Sequence, residues 1–268
     1  MLQRLTITFF LITLSQLSLA HEFWIEPEEY QIRSGRDLNA NIRIGEYFSG
    51  DTHAFFPNRF GRFELITNNG TVSVQSRLGD RPAVQQRVTG NSLLTILYDS
   101  RYSKLTYDDP ALFQDFLELE GIEWVLDAHR DRGLPDAGFS EVYRRFSKTL
   151  VAVGNGRGGD QHRGMMFEWV LQQNPYQESN ESTLTAQLFW QGQPMTGATA
   201  RLFIRQHDNV DSFRLKTDSN GIVELPRREG AEYLLNAVHM IGPSPELAEA
   251  SDAVWESLWA SMVFLVGP

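Results

Sequence analysis

The side chains best suited to chemistry are the six histidines, and one of them stands at a junction. Residues 17–30 read LSLAHEFWIEPEEY, and a cut between Ala20 and His21 would make histidine the first residue. A free α-amine and an imidazole Nδ1 on one residue can close a chelate ring on a metal ion. Their ordinary pKa values, about 7.7–8.0 and about 6.5, let both lose their protons at little cost near neutrality. Nitrogen ligands of this kind favour Cu(II) and Ni(II) over the earlier divalent ions. Such a pair still needs further ligands, commonly another imidazole or a carboxylate.

The remaining histidines show no HxH, HxxxH or HExxH spacing, so any partner must be supplied by the fold. His53, in SGDTHAFFPN beside Asp51, is the first candidate, and His239 is the second. His239 alternates with Tyr233, Leu235 and Ala237, which puts it on their face of a strand and makes a packed core histidine the competing reading. His129 fits the apolar stripe of a helix and reads as packing. His162, in GNGRGGDQHRG, and His207, in RQHDN, read as loop residues.

Other chemistries are weaker. Glu118, Glu120, Glu123 and Asp127 could supply a carboxylate pair for glycoside hydrolysis. Such residues more commonly form a solvated helix face, with nearby arginines to pair. TDSNG lacks the distal ligands of a calcium loop and reads as a hairpin turn. GNGRGGDQHRG lacks the GK[ST] ending of a phosphate cradle and reads as a Gly-rich connection. The rings of Phe48, Phe55, Phe56, Phe60 and Phe63 read mainly as the core of a β-domain. No GxSxG nucleophile pattern occurs, and zero cysteines exclude disulfides, thiolate metal sites and a cysteine nucleophile.

The reading of His21 depends on a leader. Met1–Arg4 forms a short basic n-region, LTITFFLITL an apolar h-region, and Ser18 and Ala20 the small residues before a cleavage site. The apolar run is far shorter than the roughly 18–20 residues that span a bilayer. The expectation is a signal peptide over residues 1–20 and a periplasmic product that is not an integral membrane protein. Loss of Arg4 leaves 23 basic against 34 acidic residues, a net charge of −11. That balance disfavours nucleic acid, since few cations are available to displace counterions from phosphates.

The elements that must position these residues read as mostly strands. RFELITNNGTVSVQSRL is two apolar runs around Asn68-Asn69-Gly70, a hairpin signal, and NSLLTILYDS is a further strand. DDPALFQDFLELEG predicts a helix with Asp109 as N-cap, Pro110 at its first position and Gly121 as its stop, burying Phe113, Phe116 and Leu117. Helical character is expected over about 109–146, with a strand resuming around Thr149–Val153. QQNPYQESNES predicts a linker, and several short strands with turns at QGQPMTG and TDSNG follow it. The expected fold is mainly β. It has an N-terminal β-rich domain over 21–173 with a short helical insertion, a linker over 174–182, and an immunoglobulin-like or transthyretin-like sandwich over 183–268.

HEFWIEP after the leader, GEYFSG, FLELEGIEWVLDAHR, YRRFSKTLVAVG, GQPMTGATARLF, KTDSNGIVELP and WESLWASMVF together resemble one bacterial family. It is a periplasmic family of unknown-function domains whose members carry the label of nickel-uptake or cobalt-transport periplasmic components. The resemblance spans nearly the whole chain after the leader. It implies export, tandem β-rich modules and a link to divalent metal uptake.

The first reading is therefore a periplasmic, non-enzymatic accessory protein that holds nickel, cobalt or copper through His21, with His53 and His239 as candidate ligands. It would pass the ion to a membrane transport component. The alternative is a metal-free tandem β-sandwich module that binds a surface protein or glycan. A third is a copper enzyme built on the same N-terminal chelate.

Overall fold

A computed structural model describes residues 22–267. The first part of the chain forms β1 (Glu22–Pro27), β2 (Gln31–Ile32), β3 (Asp37–Glu46), β4 (Ser49–His53), β5 (Phe60–Thr67), β6 (Gly70–Ser73), β7 (Val84–Arg87), β8 (Ser92–Ser100) and β9 (Ser103–Tyr107). Helices α1 (Pro110–Glu120) and α2 (Trp124–Asp131) lead into β10 (Phe139–Val153) and β11 (Phe167–Leu171). The remainder is β12 (Thr183–Trp190), β13 (Gln193–Pro194), β14 (Thr199–Gln206), β15 (Asn209–Lys216), β16 (Ile222–Pro226), β17 (Glu232–Ile241), α3 (Pro245–Ser251) and β18 (Trp255–Leu265). The chain is mainly β, as its alternating patterns predict.

A 10-stranded sheet runs β15-β14-β17-β18-β10-β8-β5-β6 through the middle, with β2 and β9 also paired to β10. One of its faces is covered by the four-stranded sheet of β11, β12, β13 and β16. Leu202, Leu235, Met262 and Phe264 meet Phe167, Trp169 and Leu188 there. The opposite face carries the four-stranded sheet of β1, β3, β4 and β7 over Leu65, Leu94, Ile96 and Val151. Beside that sheet, α1 and α2 cover Val238, Met240, Trp255 and Trp259. Strands buried on both faces cannot show polar–apolar alternation, and ten of the eleven residues of β18 are buried.

The helical region ends earlier than the sequence predicts. α2 stops at Asp131, and residues 139–153 form one 15-residue strand instead of entering a strand near Thr149. Arg144, Arg145 and Lys148 disguise it, because each charge is compensated by the fold and not by water. β10 also pairs in parallel with β18 over Glu141–Thr149 and Trp255–Val263, a crossover that local pattern does not reveal. β11 pairs antiparallel with β12, so residues 174–182 connect two neighbours of one sheet.

Candidate functional site

β1 is a two-sided wedge. Its residues Phe23 and Ile25 face the core of the β1–β3–β4 sheet, while Glu22, Trp24 and Glu26 face β14. Glu22 Oε1 lies 2.5 Å from Arg201 Nη1, and Glu26 Oε1 lies 2.7 Å from Arg205 Nη2. Trp24 joins Phe203 between them in a shared apolar cluster. The E-x-W-x-E pattern of HEFWIEP thus matches R-x-F-x-R on β14, charge to charge and ring to ring.

The head of β1 is electrostatically unusual. Arg201 Nη1 also pairs with Glu120 Oε1 at 2.7 Å, and Asn236 Nδ2 donates to Glu120 Oε2 at 3.2 Å. Burial pushes the Glu22 carboxyl up to about 7, with Arg201 opposing the shift and Glu120 reinforcing it. Burial likewise raises the Glu120 pKa against the pull of Arg201. The hairpin between β3 and β4 closes over this pair. Tyr47 and Phe48 both have positive φ, 52° and 60°, in a two-residue turn where Asn-Gly would be the ordinary choice. Ring contacts hold them: Phe48 is edge-on to Trp24 at 5.9 Å, and Tyr47 is edge-on to Phe203 at 5.3 Å.

On the other side of β1 opens a cleft of about 450 Å³. Phe23, Ile42, Ile44, Phe56 and Tyr98 give it apolar walls, and Asp51, His53, Arg59, Tyr143 and Arg145 supply polar groups. The register puts Phe23, Ile44 and Asp51 in one row and Ile25, Ile42 and His53 in the next, so Asp51 and His53 share the face of Phe23. Burial lowers the His53 pKa from its ordinary value, Asp51 opposes this, and Arg145, Arg81 and Arg59 add to it. His53 is therefore neutral near pH 7 and able to ligate a metal. Burial also pushes Tyr98 up to about 12, partly offset by Arg145 and Arg59.

His21 lies outside the described residues. His239 is elsewhere: it shares its face with Leu235 and Ala237, and its ring lies 4.7 Å from that of Trp190 and 6.1 Å from that of Phe167. His53 and His239 are thus on opposite sides of the central sheet, and the structure does not bring them together. No group of three or more His, Asp or Glu side chains among the described residues is arranged to hold a metal. His239 Nε2 is buried without a hydrogen-bond partner among them. His129 is a packed residue, as predicted. Its Nε2 donates to Pro135 O at 2.9 Å, and its Nδ1 accepts from Trp255 Nε1 at 2.9 Å. His207 is exposed, and His162 stands 3.4 Å from Glu168.

Sequence reasoning passed over the buried charges Glu22, Glu168 and Lys148. One signal was present: an isolated charge in an apolar run, as in HEFWI, MMFEWVL and FSKTLVAV, marks a burial site that needs a partner.

The molecule is a mainly β protein of three stacked sheets with a polar cleft beside its first strand. The chain belongs to the family described as a domain of unknown function, DUF4198, whose model matches residues 18–241. No curated protein matches it. Among solved structures it is similar to a tetra-tandem repeat from the extending region of a large adhesion protein, at 8% identity and a TM-score of 0.21. That match covers 91% of this chain and 49% of the other, so the chain spans about half of that protein's length. The D0-D1 domain of intimin is similar at 7% identity and a TM-score of 0.21, covering 90% of this chain and 97% of the other. Escherichia coli alpha-2-macroglobulin activated by porcine elastase is similar at 12% identity and a TM-score of 0.21, covering 91% and 20%. Likeness at this level says nothing about activity.

Proposed function

We propose that the protein is an exported metal-binding accessory protein whose ion sits at the head of β1. His21 anchors it through its α-amine and imidazole, and the cleft contributes His53, with Asp51 as a carboxylate ligand. One observation supports this most: Phe23, two residues after His21, lines the same cleft as Asp51 and His53. The first strand after the chelating pair therefore borders an imidazole and a carboxylate that can complete the site. Nitrogen-rich ligation of this kind suits Ni(II), Co(II) or Cu(II). The resemblance to periplasmic uptake components favours delivery of the ion to a membrane transport component. His239 has no part in this site.

The test is calorimetric titration of Ni(II) and Cu(II) into the form beginning at His21, beside a form with one extra residue before it. The extra residue turns the amine into an amide, and affinity should fall at least tenfold. Equal affinities would sink the proposal and leave the metal-free interaction module. One feature favours that second reading: β15 ends the central sheet with most of its residues exposed, an edge open to strand addition by a partner.

A further inference from the structure

Away from the cleft, Lys148 is buried completely, together with Asp160 and Glu168. Its Nζ lies 3.0 Å from Asp160 Oδ1 and 3.2 Å from Oδ2, so it faces the carboxyl carbon almost symmetrically. It lies 2.7 Å from Glu168 Oε1. Along the same face of β10 its neighbours are Phe146 and Leu150, both core residues. One ammonium thus meets two carboxylates in a place that water does not reach. Burial raises the Asp160 pKa, with Lys148 opposing.

Two further features arrange these groups for reaction. Asp160 Oδ1 accepts from Gln161 N at 2.8 Å, and Oδ2 accepts from Leu171 N at 2.9 Å. Backbone donors on a carboxyl group stabilise the oxyanion that develops when a nucleophile adds to its carbon. Glu168 is held in place by Arg163 N on Oε1 at 2.7 Å and Met165 N on Oε2 at 3.0 Å. Electrophile, oxyanion donors and base are thus held by backbone amides, with the Lys148 Nζ 3.0 and 3.2 Å from the two oxygens of the electrophile.

We propose that Lys148 and Asp160 join in an intramolecular isopeptide bond that the folded chain forms by itself, with Glu168 as the proton shuttle. Asp160 takes a proton from the Lys148 ammonium, and the freed Nζ lone pair attacks its Cγ, forming the N–C bond. Glu168 takes a proton from Nζ and passes it to the departing hydroxyl. The C–O bond breaks, one water leaves, and Glu168 returns to its starting state. No oxidant, cofactor or second substrate is needed. The bond would tie β10 to the Gly-rich segment before β11 in a chain that has no cysteine to do so.

Tryptic mapping of the purified, denatured protein tests this. Trypsin should fail to cut after Lys148, and Phe146–Arg157 should travel with Gly158–Arg163 as one species lighter than the two free peptides by one water. Glu168→Gln should restore cleavage after Lys148, release Gly158–Arg163 at full mass, and reduce the linked species at least tenfold. Because that variant could fail to fold, Asp160→Asn gives an independent reading: the same reaction then expels ammonia in place of water, and the mass deficit changes accordingly. Normal cleavage after Lys148 in the wild-type protein, with Gly158–Arg163 at full mass, would overturn the proposal and leave an ionic triad only.

Discussion

Glu22 and Arg201 meet at 2.5 Å at the head of β1, and the same guanidinium holds Glu120 at the end of α1. One cation therefore joins the first strand, the helical insertion and β14. Arg201→Ala would leave two buried carboxylates without a counter-charge. Breaking such a pair from one side costs on the order of 3–5 kcal/mol. Urea denaturation at pH 7 should show a loss of that size, and the double variant Arg201→Ala/Glu120→Gln should recover part of it. A loss below about 1 kcal/mol, the range of exposed pairs, would mean that water reaches the cluster.

Glu141 makes stability depend on pH. It accepts from Ser257 Oγ at 2.8 Å and from Tyr107 Oη at 3.2 Å, deep beneath the helices. Burial pushes its carboxyl up to about 7 from 4.5, while the two hydrogen bonds and the Arg145 charge pull the other way. Its folded pKa is raised, so between about 4.5 and 7 the folded chain keeps a proton that the unfolded chain releases. Stability should therefore fall as pH rises through that window, by roughly 3 kcal/mol from this group. Glu141→Gln, which cannot ionise, should flatten that part of the profile and match the wild type near pH 4.5. An unchanged slope in the variant would place the titration elsewhere, with Glu22 as the next residue to test.

Residues 177–183 are exposed, and protease should cut the chain there first. The two pieces should nevertheless stay together. β10 pairs with β18 over nine residues on each strand, and β11 pairs with β12, all across the cut. The nicked protein should elute at its original size in gel filtration and separate only in denaturant. A folded fragment over 183–268 that elutes alone would show instead that the C-terminal part is independent.

Local chemistry was legible in the sequence where local chemistry decides the structure. Asp109 caps α1 by accepting from Ala111 N at 3.0 Å, and Gly121 ends it in the left-handed region at φ 68°. Asn68-Asn69-Gly70 does turn β5 into β6, and Asp218 closes the TDSNG turn by accepting from Asn220 N and Ile222 N. The Tyr47-Phe48 hairpin was legible only through the resemblance carried by GEYFSG and not from turn chemistry, because rings from distant strands stabilise a backbone that its own residues disfavour. β10 was hidden too, since its charges are answered by Asp99, Asp160 and Glu168, far along the chain or across a loop. For the site, His53 was visible as a histidine beside an acid, although it ends strand β4 and does not lie in the loop the sequence predicts. Its separation from His239 by a whole sheet follows from strand order, which spacing does not encode.

That separation makes a test of the metal site. His53 shares the cleft with Phe23, whereas His239 points into the opposite core against Trp190. In the form beginning at His21, His53→Ala should weaken Ni(II) or Cu(II) binding at least tenfold, about 1.4 kcal/mol. His239→Ala and His207→Ala should leave it unchanged. The pH dependence carries a second signature. The His53 pKa is lowered by burial, so its ring stays neutral below the ordinary value of about 6.5 and competes with protons later than an exposed imidazole. Affinity should therefore fall first as the terminal amine protonates, through about pH 8, and His53 should add its proton only at the acid end. His53→Ala should remove that final acid step and keep the earlier one. If His239→Ala proves as damaging as His53→Ala while both variants keep the wild-type melting temperature, the ion does not sit at the head of β1.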